Sequence, residues 1–164
     1  MLTNFDIERI ADKLKLPIVG VFSKNELANV ERKIGSYYIN MQDSDEGCGT
    51  HWVLAKIYTD DDVDSSDEDN SEIETKALYF DSFGLGMPKQ VAKFLSPFKP
   101  IYCSNRQIQS IKTTQCGWFC LLCDYILENA KSDTYLEDYS KFLNIWSDDT
   151  TKNLTTLKKL FKPL

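Results

Sequence analysis

Gln109-Ser110-Ile111-Lys112-Thr113-Thr114-Gln115-Cys116-Gly117-Trp118-Phe119-Cys120-Leu121-Leu122-Cys123, continuing as Asp124-Tyr125-Ile126-Leu127, is polar up to Gln115 and turns apolar at Cys116. That change marks a loop feeding a buried helix, with Thr113, Thr114 or Gln115 near the entry and Cys116-Gly117 in the first turn. A thiol placed there meets unpaired backbone N–H groups and the positive end of the helix dipole, both of which favour an anion. Such surroundings lower a cysteine's pKa and make the reactive thiolate accessible. A working thiolate needs a base, a group that orients the base, and donors for an oxyanion. The remainder of the chain offers candidates for all three.

At 164 residues the chain is long enough for one domain with a proper core, and its 42% hydrophobic content is that of a globular protein. No run approaches the length of a membrane span, and Met1-Leu2-Thr3-Asn4-Phe5-Asp6 lacks the charged start and apolar middle of a signal peptide. The expectation is a soluble, intracellular protein. Cys48, Cys103, Cys116, Cys120 and Cys123 are an odd number without an export signal, so they read as free thiols in a reducing compartment. The net charge of −6 is local: Asp60 to Glu74 holds nine acidic residues and no basic one, leaving 16 acidic against 19 basic elsewhere. Charge therefore neither invites nor excludes a nucleic-acid partner. The small basic cluster from Lys152 to Lys162 fits a solvated helix face.

Thr3-Asn4 can cap a first helix to about Leu14, and Ile18 to Phe22 is a short extended segment. Ser23-Lys24-Asn25-Glu26 has a capping-box pattern that could open one helical turn. Ser36 to Met41, His51 to Tyr58 and Lys76 to Phe80 read as strands, the simplest arrangement being a meander whose last connection carries an exposed acidic loop, 60–74. Pro88 opens an amphipathic helix to about Leu95. Ile101 to Cys103 is a short strand, and Arg106 to Ile108 reads as another. Helices follow from Cys116 to about Ala130, Asp133 to Trp146, and Lys152 to Phe161.

His51 is the only histidine in the chain. A lone histidine beside a buried strand is by default structural. This one follows a Gly-containing loop and opens an apolar strand, a place where functional side chains emerge, and no other imidazole could serve Cys116. Asp81 closes the third strand. It is an ordinary turn residue on the bland reading, yet a meander brings the start of the His51 strand beside the end of the Lys76 strand, within reach of the imidazole. Gln109 stands seven positions before Cys116. It is either an exposed loop amide or an oxyanion donor alongside the Cys116 N–H. Cys116, Cys120 and Cys123 also match an iron–sulfur spacing, but they fall at i, i+4 and i+7 of one apolar helix, where small buried cysteines pack well. Cys120 and Cys123 read as core, and no metal site is assigned.

Gly49-Thr50-His51-Trp52-Val53-Leu54-Ala55, Leu78-Tyr79-Phe80-Asp81-Ser82-Phe83-Gly84, and Gln109 with Cys116-Gly117-Trp118-Phe119-Cys120 together resemble the signature of adenovirus-type (adenain-like) cysteine proteases. These enzymes are also encoded by virophages and Polinton-like DNA elements and are related to SUMO-specific proteases. The order His, acid, Gln, Cys is the family's order, and the resemblance covers roughly residues 17 to 127. It implies a papain-like α+β fold of the adenain/SUMO-protease type: a central, mostly antiparallel sheet flanked by helices, with the cysteine at a helix N-terminus, in a single protease domain spanning 1–164. By the same resemblance His51 is the general base, Asp81 its orienter, Gln109 the oxyanion donor and Cys116 the nucleophile. Trp52, Asn40 and Gly117 would line the substrate site, with Trp52 shielding the thiolate–imidazolium pair.

The implied activity is a cysteine endopeptidase cutting at glycine-containing sites in capsid or other virion precursors, within the virion and the infected cell. A ubiquitin- or SUMO-like isopeptidase of the same clan uses the same four residues, and a non-catalytic interaction module could keep the fold. The adenovirus enzyme is activated by a peptide linked through a cysteine upstream of its glutamine. Cys103 stands nearer Gln109 than that cysteine would, and the acidic loop has no basic surface to match DNA. No cofactor is therefore assigned, and an activating peptide or DNA is carried only as something the resemblance allows.

Overall fold

Alternating apolar residues with aromatic and branched side chains give each central strand two buried faces. The computed structural model describes residues 1–47, 50–60, 74–130 and 132–161, so Cys48, Gly49 and most of the acidic loop lie outside the described residues. The elements run α1 (Asn4–Lys13), β1 (Ile18–Ser23), a 3₁₀ turn (Glu26–Asn29), β2 (Gly35–Asn40), β3 (Trp52–Tyr58), β4 (Lys76–Phe80), α2 (Lys89–Leu95), β5 (Ile101–Cys103), α3 (Cys116–Asn129), α4 (Tyr135–Asn144) and α5 (Thr150–Leu160). The sheet order is β1-β2-β3-β4-β5. Its centre is the expected antiparallel meander β2-β3-β4, while β1 joins β2 and β5 joins β4 in parallel at the edges.

Strand alternation sorts the core into two layers. On one face Tyr38, Trp52, Leu54, Leu78 and Phe80 pack against α1, α3, α4 and α5. On the other, Tyr37, Ile39, Val53, Ala55, Ala77 and Tyr79 meet Leu27 of the 3₁₀ turn and Val91, Phe94 and Leu95 of α2. The result is the expected α+β arrangement, a sheet flanked by helices. No helix among the described residues is long and apolar enough to cross a membrane.

Capping chemistry sets most helix ends. Thr3 and Asp6 form a reciprocal capping box at α1. Thr134 and Asp149 accept backbone N–H groups at the starts of α4 and α5, so these helices begin at Tyr135 and Thr150 rather than at Asp133 and Lys152. The strand expected at Arg106–Ile108 is instead a loop. Side chains hold it: Arg106 donates to the Leu143 and Trp146 carbonyls at 2.6 and 2.8 Å, and Asn153 of α5 donates to the Ile108 carbonyl at 2.9 Å.

A buried polar cluster locks α3 onto the sheet. Lys56 of β3, 1% exposed, reaches Asp124 of α3 at 3.0 Å and the Ser36 hydroxyl at 2.7 Å. Tyr38 donates to the other Asp124 oxygen at 2.9 Å. A buried charge is tolerated when every member of such a network is satisfied. Here the network sets the height of α3 against β3, and hence of Cys116 against His51.

Candidate active site

Two chain reversals meet where α3 begins. Asn40 ends β2, pairs with Trp52, and accepts the Gln42 and Thr50 N–H groups on its side-chain oxygen at 2.9 and 3.4 Å. The returning chain is thereby fixed just before His51. Beyond β4, Asp81 to Gly84 form a tight turn. Gly84 has φ +68°, and a Cβ there would lie 2.6 Å from the Asn105 carbonyl oxygen and 2.8 Å from the Gln107 nitrogen, so only glycine lets this turn press on the segment leading to Gln109.

His51 Nε2 lies 2.8 Å from Asp81 Oδ1, which also accepts the Phe83 N–H at 2.7 Å. The meander register thus brings His51 and Asp81 together, as the strand order suggests. An imidazole held by Asp81 through Nε2 has Nδ1 left to serve the thiol, and Nδ1 is buried with no hydrogen-bond partner among the described residues. Phe83 stacks on the imidazole with ring centroids 4.5 Å apart.

Cys116 is the first residue of α3 and 2% exposed. Burial works against its thiolate. The neighbouring His51 imidazole and its charge, the Trp52 N–H at 3.4 Å and the Gly117 N–H outweigh burial and hold the thiol pKa below its ordinary value. For His51, burial disfavours the charge, but the hydrogen bond to Asp81 and the neighbouring Cys116 thiol, with the negative charges of both, push its pKa up to about 9. Both shifts run in the direction that favours a thiolate–imidazolium pair. One turn further on, Cys120 and Cys123 are wholly buried thiols whose pKa values burial drives well up.

Gln109 is 1% exposed and is held against Ser82, which follows Asp81. Its Oε1 accepts the Ser82 hydroxyl at 2.6 Å, and its Nε2 donates to the Thr113 carbonyl at 2.9 Å and hydroxyl at 3.1 Å. Among the described residues no group of three or more His, Cys, Asp or Glu side chains is placed to hold a metal ion.

Asn40, Trp52 and Gly117, which the family resemblance puts against substrate, are all buried here. Trp52 is 0% exposed, and its indole N–H donates to the Leu2 carbonyl at 2.9 Å. A Cβ on Gly117 would meet Leu2 at 3.1 Å and the Trp52 ring at 3.3 Å. Sequence reading missed Ser82, Phe83, Thr113 and Leu2. Ser82 and Phe83 directly follow the candidate acid, which is a local signal, whereas nothing local announces Leu2.

No protein-family model matches the sequence, and no curated protein matches it. The fold does have solved counterparts. Two crystal structures of the ASFV pS273R protease, one with selenomethionine, align with TM-scores of 0.53 and 0.50 at 17% identity, over 85% of this chain. The chain spans 61–62% of the length of those proteins. The likeness establishes the fold: a helix-flanked α+β sheet of the kind found in that protease.

Proposed function

We propose that this chain is a thiol-dependent endopeptidase with Cys116 as nucleophile, His51 as general base and acid, Asp81 as orienter and Gln109 as oxyanion donor. The observation that carries this reading is the convergence at the start of α3. An imidazole bonded to Asp81 at 2.8 Å partners a thiol whose pKa is held down, while the imidazole's own pKa is pushed up to about 9.

The thiolate attacks a peptide carbonyl carbon, forming the C–S bond as the carbonyl π pair moves onto oxygen. Donors at Gln109 Nε2 and the Cys116 N–H hold that oxyanion. The imidazolium gives its proton to the leaving nitrogen as the C–N bond breaks, which leaves an acyl-enzyme and neutral His51. The imidazole then takes a proton from water, and the hydroxide attacks the thioester to release the carboxylate and regenerate the pair.

Access favours a slender substrate. With Cys116 2% exposed and Phe83 over the imidazole, an extended chain bearing glycine at the cut reaches the thiolate most readily. The sequence resemblance and the viral protease fold both support capsid or other virion precursors as substrates, cut in the virion or infected cell. Incubation with candidate precursors and mass mapping of the products, against Cys116→Ala, tests the reading. Glycine-site cuts lost in the variant support it. Reaction only with ubiquitin-like C-terminal probes would reassign the enzyme as an isopeptidase.

A further inference from the structure

We infer that Ser82 is a positioning residue for the oxyanion donor, its buried hydroxyl fixing which end of the Gln109 amide is turned to the tetrahedral intermediate. The inference rests on the proteolytic reading above. A carboxamide has nearly the same shape after a half-turn about its last bond, but one orientation offers donors and the other an acceptor. An oxygen presented to an oxyanion would repel it, so a glutamine used this way must be held in one sense.

Three contacts set that sense. The Thr113 carbonyl can only accept, so the NH₂ group faces it at 2.9 Å and the Thr113 hydroxyl at 3.1 Å, and the Ser82 hydroxyl donates to Oε1 at 2.6 Å. Ser82 is 0% exposed, so water does not compete for that bond. It also grips the backbone, its carbonyl accepting the N–H groups of Ile108 and Gln109 at 3.0 and 2.9 Å. The preceding residue is Asp81, which orients His51. One dipeptide at the end of β4 therefore holds the base on one side and the amide on the other, and Gly84 seats that turn against residues 105–107. Ser82 touches no reacting atom and acts only through Gln109.

The test is a double-mutant cycle of Ser82→Ala and Gln109→Ala, read in kcat and KM on a cleaved peptide, together with the rate of Cys116 alkylation by iodoacetamide. Alkylation expels iodide without forming an oxyanion, so it reports the thiolate alone. Ser82→Ala lowers kcat about tenfold with KM unchanged, the scale of one lost buried hydrogen bond. In the Gln109→Ala background it lowers kcat no further, and alkylation matches wild type throughout. If Ser82→Ala shifts alkylation or melting, Ser82→Cys, of similar size, replaces it in the cycle. Additive losses, an unchanged kcat, or a matching fall in alkylation with both substitutions overturns the inference while leaving the protease intact. A wild-type chain that alkylates at Cys116 but cleaves nothing overturns the proteolytic reading and this inference with it.

Discussion

Cys116 and Cys120 stand one turn apart on α3, both almost without exposure at 2% and 0%, and the same residue of β3 touches each. Trp52 uses its two backbone groups in opposite senses. Its N–H donates to the Cys116 sulfur at 3.4 Å, and its carbonyl accepts the Cys120 S–H at 3.4 Å. The first contact stabilises an anion and the second requires the proton to stay. Cys116 also has the free N–H groups of the helix start and the imidazole, whereas Cys120 has burial and neighbouring negative charge. Their pKa values therefore move apart, one down and one up. Burial does not decide which thiol is a nucleophile. The sense of the hydrogen bonds around it does.

The sharpest way to break that contrast is to exchange the fates of the two sulfurs. On the proposed mechanism Cys116→Ala removes the nucleophile and lowers kcat by about 10⁶ in a peptide-cleavage assay, as loss of a nucleophile does elsewhere. Gln109→Ala leaves the thiolate but removes a donor that Cys120 never has, and kcat falls by about 10²–10³. Asp81→Asn tests the charge behind the pair. Asp81 raises the His51 pKa, so the wild-type descending limb of activity lies near pH 9, where the imidazolium loses its proton. Without the carboxylate's charge the imidazolium is less favoured and that limb moves to lower pH, as a pH–rate profile records. Cys120→Ala sharpens the comparison from the quiet side. Turnover stays within about twofold, and stability falls by about 1 kcal/mol in denaturant unfolding for loss of a small buried side chain.

Much of this centre was legible in the sequence because its strongest constraints are local or follow from period-2 strands. The abrupt polar-to-apolar change at Cys116 marks a helix start, and α3 begins at that residue. The meander places the start of β3 beside the end of β4, which is why the His51–Asp81 contact follows from strand order alone. The parallel edge pairings of β1 and β5 left no such trace, since a crossover does not show in alternation. The loop at Arg106–Ile108 carried strand-like residues, but its conformation is set by groups at the ends of α4 and α5 some 40 residues away. The family resemblance assigns Trp52 and Gly117 to the substrate site. The approach of Leu2 that buries both comes from the far end of the chain, and no spacing rule conveys it.

The most direct test of the central claim is the pH dependence of iodoacetamide labelling in the folded protein, mapped cysteine by cysteine. Cys116 is expected to label fastest, with its thiolate appearing below the ordinary thiol range and that advantage lost in His51→Ala, while Cys120 and Cys123 label only on unfolding. Labelling of Cys116 no faster than that of exposed Cys103, with an ordinary thiol profile indifferent to His51, would contradict it.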